Sequence, residues 1–302
     1  MFRTVLIRKS SKLQYLQGYL VIFDGEEEKK VFLTDISILL IESTSTLITV
    51  PLMIQLIKNN IAVLLCDEKH NPIGTLLGIN NHYNLSGNIY KQLSWKEKVC
   101  EDLWIEIVKH KILNQIKVLT TFNKNNRELL DQYIKEIEPN DKTNREGLAA
   151  KVYFFSLFGQ GFNRNEETVI NGLLNYGYSI LLSCFNREIA SSGYLTQLGI
   201  FHKGKTNPFN LSSDFMEPFR PFVDVMAYLN INNKDPIKSI RKLATKKVVF
   251  NNEERYIDDA IGVYVKILLR YLNEESIEFP VIDFMNMEHY KDVEINEINS
   301  DV

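Results

Sequence analysis

The stretch 94–119, SWKEKVCEDLWIEIVKHKILNQIKVL, marks the point at which the chain changes from one kind of structure to another. Its apolar side chains fall at positions 99, 103, 107, 108, 112, 116 and 119, which is the spacing of one face of an α-helix. Ser94 is a suitable N-cap, and Glu97 three residues later is a suitable capping-box partner. The stretch therefore predicts a long amphipathic helix that opens a helical region.

Upstream of this helix the chain consists of short, apolar, β-branched runs separated by turn residues such as DGEEE and DEKHNPIG, a pattern that predicts strands. Downstream, the helical spacing recurs in several segments. We therefore predict an α+β protein with a small β-rich domain at 1–85, a linker at 86–93, a larger all-α domain at 94–288, and a polar, mobile tail at 289–302.

The composition excludes several classes of protein. A net charge of -3 over 302 residues gives no bulk attraction to nucleic acid, so a DNA or RNA partner must meet a local basic cluster. Three cysteines, odd in number and far apart, form neither a disulfide framework nor a zinc site and indicate a reducing, intracellular compartment. The N-terminus has no signal-peptide pattern, and no run of about 18 apolar residues predicts a membrane span.

One segment concentrates side chains suited to chemistry. Asp214 and Glu217 lie three residues apart, so a helix or a turn brings their carboxylates together. His202 precedes them in a glycine-containing loop, and Glu146, at the start of another predicted helix, is the best candidate for a third acid. A histidine with two or three carboxylates suits Mg²⁺ or Mn²⁺ better than a structural Zn²⁺.

Each of these residues also has a purely structural interpretation. Asp214 is equally compatible with an N-cap, and Glu217 with a first-turn acid, although its apolar neighbours favour partial burial. A lone histidine such as His202 is more often structural than a ligand. Glu146 fits a solvent-facing first-turn glutamate, and spacing alone leaves these alternatives open.

Four segments of the chain resemble one family. They are KILNQ at 111–115, NREGLAAKVYF at 144–154, VINGLLNYGYSIL at 169–181 and LGIFHKGKTNPFNLSSDFMEPFRPFVD at 198–224. Together, in this order, they resemble the CRISPR-associated integrases that insert spacers during adaptation (the "Cas one" family), and NPFNLSSDFMEPFRP resembles the type II branch. The resemblance implies an N-terminal β-domain that forms the homodimer surface, followed by a helical catalytic domain.

The resemblance also implies a metal site. Carried over by motif, Glu146, His202 and Glu217 are both the metal ligands and the catalytic residues, and Asp214 is an additional acid beside them. Position 201 departs from the family pattern, because a second histidine is expected where this chain has phenylalanine.

Two helix faces carry polar residues that fit either core hydrogen bonding or support of a site. Asn171, Asn175 and Tyr178 share the first face, and the resemblance implies that Asn175 and Tyr178 support the catalytic pocket. The second face, on the 94–119 helix, carries Lys111, Asn114 and Gln115.

Basic residues around these motifs predict contacts with DNA phosphates, with solvated helix faces as the alternative. Such contacts are largely independent of base sequence, which suits a protein that handles varied DNA fragments. The predicted DNA-binding residues are Lys203, Lys205, Arg220, Lys238, Arg241 and Lys242.

The implied reaction is the attack of the 3′-hydroxyl of a short DNA fragment, the protospacer, on a phosphodiester of the CRISPR repeat. The implied cofactor is Mg²⁺ or Mn²⁺, and the implied setting is the cytoplasm of a prokaryote, without a membrane. The implied partners are double-stranded DNA, a second copy of the chain, a small second CRISPR-associated protein that bridges two dimers, and other type II CRISPR proteins. A metal-dependent nuclease without an integration role and a non-catalytic DNA-binding scaffold are the alternatives.

Overall fold

The computed structural model describes residues 3–78 and 82–292 and confirms the predicted α+β architecture. The strands are β1 (Arg3–Ile7), β2 (Lys12–Leu16), β3 (Tyr19–Phe23), β4 (Glu28–Phe32), β5 (Ile36–Ile41), β6 (Leu47–Ile48), β7 (Ala62–Cys66), β8 (Pro72–Thr75), β9 (Lys247–Phe250), β10 (Glu253–Tyr256) and β11 (Ile282–Phe284). The helices are α1 (Val50–Lys58), α2 (Leu85–Leu93), α3 (Glu97–Thr121), α4 (Arg127–Lys135), α5 (Arg145–Phe158), α6 (Val169–Ser191), α7 (Asn210–Phe215), α8 (Arg220–Asn230), α9 (Pro236–Arg241) and α10 (Ile257–Leu272).

Two four-stranded sheets form the N-terminal unit. The first has the order β1-β5-β7-β8, in which β1, β5 and β7 are parallel and β8 is antiparallel to β7. In its register Leu39 of β5 lies opposite both Val5 of β1 and Val63 of β7. The second sheet has the order β4-β3-β2-β6, and α1 packs against it through β2.

Strand β5, with the sequence ISILLI, connects this unit to the helical part. All six of its residues are buried. Because successive side chains of a strand point to opposite faces, Leu39 and Ile41 join the core of the N-terminal unit while Ile38 and Leu40 join the core of the helices. A continuous apolar run is typical of a strand that is covered on both faces.

Helix α3 is the long helix predicted from the 94–119 spacing, and its apolar face is buried against α5, α8 and α10. The predicted capping box is wrong. The N-cap position is Lys96, which makes no side-chain capping bond, and the Ser94 hydroxyl instead donates to the Lys91 carbonyl at the end of α2. The helix therefore forms without this local signal.

Helices α6 and α8 approach each other closely at Gly177. A Cβ atom on Gly177 would lie 2.4 Å from Val223 Cγ1, so only glycine allows this approach without a shift of the helices. The approach brings the polar face of α6 alongside the start of α8.

Three short strands interrupt the helical part, within residues predicted to be all helix. Strands β10, β9 and β11 form an antiparallel sheet in that order. The segment 235–247, DPIKSIRKLATKK, resembles one basic helix in sequence, but α9 ends at Arg241 and β9 begins at Lys247. Val248 and Phe250 on β9 are buried in the helical core, and this burial favours a strand there.

The two predicted connecting segments are also structured. Residues 86–93, predicted as a linker, belong to α2, whose buried Asn88 and Gln92 donate to the carbonyls of Ser192 and Leu195 at 2.9 Å each. Within the predicted tail 289–302, Tyr290 is fully buried, whereas 293–302 lie outside the described residues. No helix in the described ranges is long and apolar enough to cross a membrane.

Candidate metal and DNA site

Glu146 is positioned by the way α5 begins. The buried Asp141 carboxylate accepts the backbone N–H groups of Arg145 at 2.7 Å and Glu146 at 3.0 Å. An acid at the start of a helix satisfies N–H groups that have no partner within the helix. Asp141 therefore fixes the first turn of α5, and this turn directs the Glu146 side chain towards α3.

Glu217 begins a single 3-10 turn, Glu217–Phe219, between α7 and α8. The side chain is buried, with 4% of the residue exposed, and this turn packs against the middle of α3. Asn114 of α3 fixes the contact by donating from Nδ2 to the Pro218 carbonyl at 3.0 Å. The turn explains why Pro218 is tolerated directly after an acid that must point inward.

Lys111 of α3 lies between these two acids, and sequence reasoning missed its role. Its Nζ donates to Glu146 Oε1 and to Glu217 Oε2, so two distant parts of the chain converge on one ammonium group. The position of Lys111 on its helix would have indicated this role. Lys111 lies on the same face as the buried Trp104 and Val108, and a buried lysine requires an acidic partner.

Arg220 completes the charge balance around Glu217. Its Nε donates to Glu217 Oε1 at 2.8 Å, and its guanidinium lies 4.7 Å from the centre of the Tyr178 ring. Burial by itself would raise the pKa of Glu217, but the Arg220 guanidinium and the Lys111 ammonium lower it to about 2. Glu217 is thus held as a carboxylate although it is buried.

His202 is held by Asp214, the acid nearest to it in sequence. The Nδ1 atom of His202 lies 2.5 Å from Asp214 Oδ1, while the same carboxylate accepts the backbone N–H groups of Ile200 at 2.7 Å and Phe201 at 3.0 Å. The hydrogen bond to Asp214 raises the pKa of His202. Because a carboxylate accepts, Nδ1 is the donor, and Nε2 remains available to a ligand.

The loop that carries His202 has little freedom. A Cβ atom on Gly199 would lie 2.4 Å from the His202 carbonyl oxygen and 2.7 Å from Asp214 Oδ2, so glycine is required there. Phe201, the position at which the chain departs from the expected family pattern, stacks on Trp104 of α3 with ring centres 4.2 Å apart. The phenylalanine thus anchors the loop to α3 and leaves His202 at the edge of the site.

The two predicted supporting residues on α6 lie beside the acids. The Tyr178 hydroxyl donates to the buried Asp224 of α8, and Asn175 Oδ1 accepts from Arg164 at 2.8 Å. Burial raises the pKa of Asp224 to about 7. Sequence reasoning missed Arg164 and Asp224, because only their partners in the folded chain, Asn175 and Tyr178, connect them to the site.

A cavity borders the acids. Its volume is about 230 Å³, and it is lined by Lys111, Glu146, Glu217, Arg164, Tyr178 and Arg220.

The chemistry of the donors fits a divalent cation. Two carboxylates converge on a single positively charged atom, and carboxylate oxygens are the ligands that Mg²⁺ and Mn²⁺ prefer. In the described part of the chain no three His, Cys, Asp or Glu side chains are grouped closely enough to hold a metal. The structure thus brings Glu146 and Glu217 together, and the three-residue ligand set with His202 stays a prediction.

The predicted DNA-binding residues fall into three places. Lys203 and Lys205 are exposed and line, with His202, an open groove of about 550 Å³. Arg220 lies in the acid cluster itself. The third place is α9 and the residue after it. Lys238 is exposed on α9, and Lys242 Nζ lies 3.6 Å from Asp292 Oδ1.

Arg241, predicted to contact DNA, is paired with an acid inside the protein. Its Nε and Nη2 donate to the two oxygens of the buried Glu42 at 2.9 and 2.8 Å, and only 7% of the arginine is exposed. Glu42 directly follows β5, so this ion pair connects the N-terminal unit to α9. A guanidinium that is committed to a buried carboxylate cannot contact a phosphate.

Comparison with known proteins gives a consistent result. The family model for "CRISPR associated protein Cas1" matches residues 4–256. The "CRISPR-associated endonuclease Cas1" of Neisseria meningitidis serogroup C (strain 8013) is 37% identical over 225 residues, which are 74% of each chain.

Solved structures agree with the fold. A "Casposase bound to integration product" has a TM-score of 0.74 at 20% identity and covers 99% of this chain and 96% of its own. A "Cas6-RT-Cas1--Cas2 complex" has a TM-score of 0.72 at 17% identity and covers 96% of this chain and 36% of the other. At these identities the likeness supports the architecture described above.

Proposed function

Because the chain belongs to the CRISPR-associated Cas1 family, we propose that it is a metal-dependent DNA integrase of CRISPR adaptation, of the type II branch. The observation that carries the proposal is the convergence of Glu146 and Glu217 on one cationic position, beside a loop that holds His202 and opens on a lysine-lined groove. In this proposal Glu146, His202 and Glu217 hold Mg²⁺ or Mn²⁺.

When bound, the metal ion supplies electrostatic stabilisation to a phosphodiester under attack. The chain itself supplies orientation. Asp141 and the Glu217–Phe219 turn fix the two acids, and Asp214 holds the imidazole with Nε2 free. Lys203 and Lys205 attract the phosphates of double-stranded DNA to the adjacent groove. At the acids, the 3′-hydroxyl oxygen of the protospacer forms a bond to a phosphorus atom of the repeat, the bond from that phosphorus to the repeat's own 3′-oxygen breaks, and this oxygen leaves as a new 3′-hydroxyl.

The partners follow from the proposal. A solved complex with this fold contains a Cas2 protein, which supports a small second CRISPR-associated protein that bridges two dimers of this chain. Homodimer formation through the N-terminal unit is supported by its exposed apolar side chains, among them Leu16, Phe32 and Leu47. The other type II CRISPR proteins and a prokaryotic cytoplasm complete the proposed setting.

The test is an integration assay with supercoiled plasmid that carries the CRISPR repeat, short double-stranded DNA, the second protein and Mn²⁺. We expect joined product from the unaltered chain and none from Glu146→Gln, His202→Ala or Glu217→Gln. The matched control is Glu106→Gln, which removes a surface acid of α3 that pairs with Lys109. Normal integration by all three site variants would overturn the site assignment.

A second candidate, a metal-dependent nuclease without an integration role, is favoured by the Neisseria relative, which is described as an endonuclease. It uses the same acids, with water in place of the 3′-hydroxyl. Cleavage of linear DNA without joined product, with the second protein present, would favour it. Equal DNA binding in EDTA and no change of the DNA under any condition would instead indicate a non-catalytic scaffold.

A further inference from the structure

The buried ammonium of Lys111 occupies the point at which the two acids converge. Its Nζ contacts one oxygen of Glu146 and one oxygen of Glu217, and the other oxygen of Glu217 accepts from Arg220 Nε at 2.8 Å. Both oxygens of Glu217 thus have a donor from the protein itself. A metal ion cannot take the shared position while the ammonium remains there.

The lysine is buried beside the acid pair and borders the cavity of about 230 Å³ into which its side chain could move. Only 6% of the residue is exposed, and the neighbouring Asn114 ties α3 to the turn that carries Glu217. Without a cation between them, two carboxylates this close repel each other, and burial increases the cost because water cannot screen them. The ammonium therefore stabilises the acid pair whenever no metal is bound.

We propose that Lys111 is an internal counter-ion that competes with the divalent cation for Glu146 and Glu217. This inference rests on the proposed function, since it takes these two acids as metal ligands. Lys111 is a positioning residue: it holds the acids together in the metal-free protein and lowers their affinity for metal. A metal ion binds only after it displaces the ammonium from the shared oxygens.

A purely structural lysine leads to a different expectation. If Lys111 only holds the helices together, its removal loosens the acid pair and weakens metal binding along with stability. If it competes with the metal, its removal lowers the stability of the metal-free protein but strengthens metal binding. The opposite direction of these two changes distinguishes the roles.

The test measures binding of Mn²⁺ to the full chain by electron paramagnetic resonance of the free ion, with thermal unfolding in EDTA and in saturating Mn²⁺. For Lys111→Met we expect at least tenfold tighter Mn²⁺ binding, a lower melting temperature in EDTA and a larger rise on adding Mn²⁺. Lys111→Gln is a second variant, which keeps a hydrogen-bond donor and replaces Lys111→Met in the test if that variant folds poorly. It should also bind Mn²⁺ more tightly and melt at a lower temperature in EDTA.

The matched control is Lys117→Met, on the same helix, where the lysine pairs with the half-exposed Asp283 at 2.8 Å. It should leave Mn²⁺ affinity unchanged. Adding Glu146→Gln to Lys111→Met should remove the gain in affinity. Equal or weaker Mn²⁺ binding by both Lys111 variants overturns the competition, while the proposed function stands if the unaltered chain binds Mn²⁺. Absence of Mn²⁺ binding in every protein overturns both.

Discussion

Two buried clusters of acid and base in this molecule look alike but are built differently. Glu42 is paired by Arg241 through two parallel hydrogen bonds of 2.9 and 2.8 Å, and its remaining capacity is used by the Tyr176 hydroxyl at 2.6 Å. In the other cluster, Glu146 and Glu217 share the single ammonium of Lys111. In the first cluster all the donors serve one acid. In the second, two acids from distant parts of the chain converge on one ammonium, and Arg220 pairs only with Glu217.

The difference separates a structural ion pair from a candidate active site. The Glu42–Arg241 pair connects β5 to α9 across two cores, and a planar guanidinium that binds a carboxylate at both oxygens leaves no position for a ligand. The Lys111 cluster borders a cavity of about 230 Å³ and lies near an exposed loop. Burial of charge is common to both, so burial alone does not identify a site. The convergence of two acids on one position and access from a cavity do.

The largest effect is expected at the structural pair. Arg241→Met leaves the Glu42 carboxylate buried without its partner, which should lower the free energy of unfolding by about 3–5 kcal/mol. Denaturant unfolding measures this loss. Integration per folded molecule should stay normal at low temperature, and a selective loss of DNA binding in a stable Arg241→Met protein would contradict the separation of the two clusters.

The second prediction concerns pH and Asp224, next to the acid pair. Burial raises its pKa from 3.8 to about 7, so the folded protein keeps a proton that the unfolded chain releases above about pH 4. This contribution to stability is full at low pH and is lost as the pH rises to about 7, by up to about 4 kcal/mol. Asp224→Asn cannot release a proton and keeps an acceptor for Tyr178.

Measured from pH 4 to 8, the difference in unfolding free energy between the unaltered chain and Asp224→Asn should therefore fall with rising pH and level off above about 7. Asp102→Asn, at an exposed acid on α3 paired with Lys98, is the control. A difference that is constant with pH would show that Asp224 is not held protonated.

The third prediction concerns the histidine. Asp214→Asn removes the charged partner of His202 Nδ1, and loss of such a partner typically costs about 10- to 100-fold in metal affinity or activity. A metal ligand must be the neutral imidazole, and the bond to Asp214 raises the pKa of His202. The acidic limb of the pH profile of integration should therefore move to lower pH in the variant, at a reduced maximal rate. An unchanged limb would remove His202 from the proposed ligands.

The smallest effect is expected in the groove. Lys203→Ala with Lys205→Ala should weaken DNA binding a few-fold at moderate salt and reduce the slope of log affinity against log salt by about 1 to 2, because up to two phosphate contacts are lost. Fluorescence anisotropy at several salt concentrations measures both. The double variant Lys9→Ala, Lys12→Ala on the N-terminal unit is the comparison, and an equal effect there would mean that charge in general, and not this groove, attracts DNA.

Local pattern and resemblance predicted much of the molecule. The spacing of apolar residues in 94–119 predicted α3, because one face of a helix must be apolar wherever it packs. Short apolar, β-branched runs predicted the β-rich N-terminal region, and four sequence motifs in order indicated the family. The carboxylates Glu146 and Glu217 were chosen from their neighbours in sequence, and the structure brings them to one point.

What sequence by itself determined was the class of most segments, since this depends on neighbours within a few residues, and it supplied Glu146 and Glu217 as candidate acids. Only the tertiary structure decided which basic residue meets which acid. The acid that pairs with Lys111 lies 35 residues away at Glu146, and the acid that pairs with Arg241 lies 199 residues away at Glu42, so neither pairing is visible in a linear pattern. Helix packing makes those pairs, and a buried charge takes its role from the partner that packing provides.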